Sequence, residues 1–194
     1  MAAKFEIVAI MSCPVSIKLI TDKLAEEIGP IQITHSYRLN NWCDIHEKPL
    51  CTDDLEGMLD ESVIVLQMRS DHWGHMGLSV ERCGLEWMYN VWIDTITCPE
   101  LDKDFITKKN EELYTKAVCR LLETIRVVRA DVRCAAMGVE IDVSYAPRLK
   151  EQIQNSRNVT LWYSMETLTP DVFAPQWTYQ RLKDGSCIAY RRDI

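Results

Sequence analysis

From Leu85 to Asp94 apolar and polar positions alternate along the chain. Leu85, Trp87, Tyr89, Val91 and Ile93 fall on one parity; Glu86, Met88, Asn90, Trp92 and Asp94 fall on the other. A period of two places such sets on opposite faces of a sheet, so the segment predicts a strand whose two tryptophans point to opposite sides. One of those sides is core. A tryptophan on the other needs cover from a helix, a subunit or a ligand, and a helix is the first expectation. Ser62 to Met68 (SVIVLQM), rich in β-branched residues, predicts a buried strand. Shorter strands are predicted over Phe5 to Met11, Ile31 to Leu39, Leu78 to Cys83, Ala135 to Ile141 and Val159 to Tyr163. Trp177 to Leu182 and Cys187 to Tyr190, joined through Lys183-Asp184-Gly185-Ser186, predict a hairpin.

Helical spacing interrupts these strands. Ile17, Ile20, Leu24 and Ile28 recur on one face, with Ser12 placed to cap, Pro14 in the first turn and Gly29-Pro30 as the stop. The longest helix is predicted from about Asp104 to Arg129, striped by Leu113, Ala117, Leu121, Ile125 and Val128. Pro147 opens another, with Leu149 and Ile153 facing inward. A short one carries Leu55, Met58 and Leu59, capped by Thr52 or Asp53 with Glu56 in capping-box position. Asp71 to Gly77 (DHWGHMG) holds two glycines and predicts a loop. Hairpins mixed with helices point to an α+β fold: one domain over residues 1–194, with a largely antiparallel or mixed sheet and helices packed mainly on one face.

Composition narrows the function classes. The chain has 194 residues and a formal net charge of −7, which disfavours broad contact with nucleic acid or a membrane surface, since both need a basic footprint. No apolar run approaches the ~20 residues of a membrane span. Ile7 to Met11 is too short for a secretion signal, so the cytosol is the expected compartment. Eight cysteines are scattered without paired spacing, and most are expected as free buried thiols.

Specific chemistry is thinly marked. Neither G-x-x-x-x-G-K-[ST] nor G-x-G-x-x-G occurs among the seven glycines, so phosphate cradles of those kinds are excluded and no cofactor is expected. Cys43-x2-His46 and His72-x2-His75 could form two halves of a metal site, but the paired-cysteine spacing of structural zinc is missing and no metal is expected. Asp71, His72, His75 and Cys83 form the alternative catalytic set, a thiol with imidazole bases around a polar loop, as in a small-molecule enzyme or ligand sensor. No local signature raises Cys83 above the other thiols, and the chain is expected not to be an enzyme.

The densest signal is electrostatic. Asp44, Glu47, Asp53, Asp54, Glu56, Asp60 and Glu61 lie within residues 44–61 against the single basic side chain of Lys48. Such a cluster can steer a cationic partner, and Trp42 beside it can serve as an aromatic anchor. These eight residues (Trp42 and the seven acids) are the expected partner-binding set. A solvated face is the plainer alternative. Self-association through the outer tryptophan face is a further one.

The acidic loop, the strand LEWMYNVWIDT and the long amphipathic helix after it together resemble the layout of small acidic immunity proteins with which bacteria neutralise their own polymorphic toxins. The resemblance implies a non-catalytic protein that binds a basic partner, a cognate toxin, and blocks it.

Overall fold

The computed structural model describes residues 3–39, 45–46, 55, 59, 63–96, 99–103, 105–128, 132–173 and 175–192. Its strands are β1 (Lys4–Met11), β2 (Ile31–Leu39), β3 (Ile45–His46), β4 (Val63–Ser70), β5 (Gly74–Cys83), β6 (Glu86–Asp94), β7 (Val132–Asp142), β8 (Arg157–Ser164), β9 (Trp177–Arg181) and β10 (Cys187–Arg191). All join one ten-stranded sheet in the order β3-β2-β4-β5-β6-β1-β7-β8-β10-β9. Every neighbouring pair runs antiparallel. Three helices of the described residues accompany it: α1 (Ile17–Ile28), α2 (Glu111–Val128) and α3 (Leu149–Asn155).

This is a mainly-β protein, which corrects the α+β expectation. The antiparallel sheet is as expected, but it is far larger than the helices that accompany it, and those helices lie on both of its faces. On one face α1 supplies Ile17 and Ile20, and α2 supplies Leu113 and Tyr114, to a cluster holding Phe5, Leu66, Leu78, Tyr89 and Met137. Tyr114 meets Phe5 edge-on, with centroids 5.4 Å apart. On the other face α3 sets Leu149 and Ile153 against Cys134, Trp162 and Ala189, over the β7, β8 and β10 end alone.

Local boundaries moved for identifiable reasons. Ser16 rather than Ser12 caps α1, accepting a hydrogen bond from the Leu19 backbone N–H. The long helix begins at Glu111, not near Asp104. Ahead of it Thr107 and Asn110 bond reciprocally: the Thr107 N–H donates to Asn110 Oδ1 and the Asn110 N–H to Thr107 Oγ1. Side chains that bond nearby backbone in this way compete with helix.

β1, the first strand, sits inside the sheet between β6 and β7. A register shift between Ile10 and Met11 leaves Arg133 of β7 as the extra residue of a bulge. The expected loop at 71–77 shrinks to a three-residue turn, because β4 continues to Ser70 and β5 begins at Gly74, whose φ of 63° suits glycine at the hairpin end.

Candidate functional site

The expected partner-binding residues, Trp42, Asp44, Glu47, Asp53, Asp54, Glu56, Asp60 and Glu61, lie outside the described residues. The described residues that flank this stretch in the sequence, Leu39 and Val63, are direct cross-strand partners. Ile45 and His46 pair with Leu39 and Arg38 at the sheet edge. Leu55 and Leu59 are buried in the helix-covered cluster, at 0% and 6% exposure.

The alternative set does not come together. Asp71 and His72 are exposed in the β4–β5 turn, and His72 rests against Gly29. His75 and Cys83 share a face of β5 but stand at its opposite ends, roughly 26 Å apart at about 3.3 Å per residue. Burial, reinforced by Glu81 and Glu86, pushes the Cys83 thiol up to about 11, so it stays protonated and weakly nucleophilic at neutral pH. His46 lies in β3, at the far edge of β2 and β4 from β5. Among the described residues no three His, Cys, Asp or Glu side chains converge to hold a metal ion.

The two tryptophans of β6 do take opposite faces. Trp87 is buried in the helix-covered cluster, with the Arg82 guanidinium 5.5 Å from its ring centre. Trp92 is half-buried on the other face and belongs to neither apolar cluster. No helix of the described residues supplies its cover. The sheet supports the ring instead: Gly77 lies directly opposite on β5, and the Lys4 ammonium sits 5.2 Å from the ring centre.

The surrounding face is laid out in two rows of directly paired residues. One runs Glu6, Trp92, Gly77, Gln67, His35; the other runs Val8, Asn90, Ser79, Val65, Tyr37. Asn90 donates to the Glu6 carboxylate at 2.9 Å, and His35 stacks on Tyr37 with centroids 6.1 Å apart. The result is a polar and aromatic platform on five strands. At β2 this platform ends beside the pair Leu39 and Val63, which flank the acidic stretch in the sequence.

Sequence reasoning missed an ion pair at the α3 end. Arg133 Nε lies 2.9 Å from Glu86 Oε1, too far off line for a hydrogen bond. Its Nη2 donates to Gln152 Oε1 at 2.5 Å, and its guanidinium stands 5.8 Å from the Tyr145 ring centre. Gln152 in turn donates to Cys134 Sγ at 3.5 Å, a thiol that burial pushes up to about 12. The guanidinium is thus a strut between the sheet and α3. The β-bulge that re-aims Arg133 has no signature in the sequence. A cavity bordered by α3 and β8 to β10 was equally unanticipated, since its walls come from distant segments.

No family model matches the chain, and neither does any curated protein or solved structure.

Proposed function

We propose that this chain is a non-catalytic binding protein that inhibits a basic partner protein through its acidic segment, residues 44–61. The observation that carries this is the burial of Leu55 and Leu59. Both leucines lie within residues 44–61, a stretch with seven carboxylates and one lysine, and both are packed into the core. Pre-attachment of a charged segment lowers the ordering cost of binding, while its charge speeds encounter and sets orientation. The dispersal of Asp71, His72, His75 and Cys83 favours binding over catalysis by that set.

No helix among the described residues is long and apolar enough to cross a membrane. The function proposed here places the chain in the cytosol, where a toxin-neutralising protein would protect its own cell.

The test combines capture with charge reversal. The full chain, immobilised, is exposed to lysate of its native host at low and at high salt, and a retained basic protein is identified and purified. Wild-type chain should inhibit that protein's activity and release it at high salt, because exposed charges are screened beyond about 8 Å at physiological ionic strength. The variant Asp53→Lys, Asp54→Lys, Glu56→Lys should keep the wild-type thermal midpoint yet associate at least about tenfold more slowly. Unchanged association after the triple reversal removes the acidic segment from the mechanism. A captured protein whose activity is unaffected rules out inhibition.

A further inference from the structure

On the sheet face away from α1 and α2, a cavity of about 290 Å³ opens between α3, β8, the 3-10 turn Pro170–Val172 and the β9–β10 hairpin. Trp162, Phe173 and Trp177 give it aromatic walls, Asn158 and Gln176 add amides, and Arg191 contributes the only charged side chain among its lining residues. The hairpin register sets Arg191 directly opposite Trp177, within the ~5 Å Cβ separation of cross-strand partners. Phe173 tilts against Trp177 at 36°, with centroids 5.0 Å apart. The wall is tied in place: Lys150 of α3 reaches Asp171 of the 3-10 turn at 3.4 Å, and Asn158 donates to the Glu140 carbonyl at 3.0 Å.

The charge at this site runs against the rest of the molecule. Acids outnumber bases 29 to 22 over the chain, yet no lining residue is acidic. The guanidinium of Arg191 has no carboxylate partner among the described residues. Neighbouring Arg192, by contrast, pairs with Glu111 at 2.8 Å, and Arg133 pairs with Glu86. Arginine presents a planar donor fork suited to a carboxylate. The volume is nearly twice the ~150 Å³ that accepts benzene in an apolar cavity, so one ring with a short arm fits.

We propose that this cavity binds a small aromatic carboxylate, its ring against Phe173 and Trp177 and its carboxylate on Arg191. The site is separate from the acidic segment and does not depend on the function proposed above. A cationic aromatic is disfavoured by Arg191, and a bare inorganic anion would leave the aromatic walls unused.

The experiment is calorimetric titration of the full chain with 3-phenylpropionate and indole-3-acetate, using 3-phenylpropylamine as the charge control. At least one acid should bind saturably at about 0.1–1 mM, and the amine at least tenfold more weakly. Arg191→Gln should weaken the acid by about tenfold or more, the worth of a charge-assisted contact. Lys183→Gln, in the hairpin turn outside the cavity, should leave it unchanged. In wild-type protein the Ile153 and Val159 methyl resonances should shift with the acid, whereas those of Ile64, on the opposite face, stay fixed. This measurement needs no variant, so a misfolded Arg191→Gln protein would not obscure the result. The proposal is overturned by no saturable binding of either acid, by equal binding of the amine, by full affinity in folded Arg191→Gln, or by unmoved Ile153 and Val159 methyls.

Discussion

The indole of Trp92 lies flat across Gly77, its partner on β5, so closely that a β-carbon built at Gly77 would fall 1.9 Å from Trp92 Cζ2. Glycine is required at this position for space, since its backbone is ordinary extended strand. A bare glycine weakens a strand because it has nothing to pack; here the ring from the neighbouring strand fills that gap.

Gly77→Ala should therefore destabilise the protein by about 1–3 kcal/mol, the usual cost of forcing atoms into filled space. The same substitution in a Trp92→Leu background should cost less than about 1 kcal/mol, since Leu can turn away. Urea denaturation of the four members of this cycle measures the coupling. Equal costs in both backgrounds would show that the indole does not depend on the missing side chain.

The Glu86–Arg133 pair is largely shielded, with side chains 17% and 11% exposed. Glu86→Gln leaves a guanidinium facing a neutral group and should cost about 3 kcal/mol. Replacing both partners, as Glu86→Leu with Arg133→Met, should cost less than the single change, because no uncompensated charge remains. Arg133 also holds Gln152, so the double variant should lower the protection of α3 amides in hydrogen exchange. Chemical denaturation together with exchange separates the two effects.

Glu6 supplies a pH signature. Burial outweighs its hydrogen bond from Asn90 and holds its carboxyl above the ordinary value of 4.5. Between 4.5 and the raised folded value the native protein binds more protons than the unfolded chain, so stability falls as pH rises through that window. Glu6→Gln should abolish this fall. Urea midpoints measured at closely spaced pH values from 4 upward, for both proteins, check it: parallel curves would mean that Glu6 titrates alike in the folded and unfolded states.

Much of the sheet was legible before any coordinates. The alternation from Leu85 to Asp94 correctly separated Trp87 from Trp92, and the 177–190 hairpin appeared where its turn residues placed it. The reading failed where local chemistry and long-range packing disagreed. Gly74 and Gly77 look like loop punctuation, but Gly77 sits inside a strand because a ring from β6 needs the room. Trp92 was expected beneath a helix and instead rests on the sheet. The acidic cluster is visible in the sequence, and so are Leu55 and Leu59 within it, although the burial of those leucines is a tertiary fact. His75 was read in a loop and Cys83 at the end of the strand after it, and a single extended strand, β5, holds them at opposite ends.

Local periodicity by itself determined most of the segments that extend or coil, and which side of β6 carries Trp87, because these follow from backbone geometry over a few residues. Strand order, the two-sided distribution of helices and the convergence of Trp162, Phe173, Trp177 and Arg191 on one cavity were decided by the tertiary structure. Those features depend on which apolar faces bury each other across long stretches of chain. That competition is settled by total packing and loop closure, and no single window of sequence contains it.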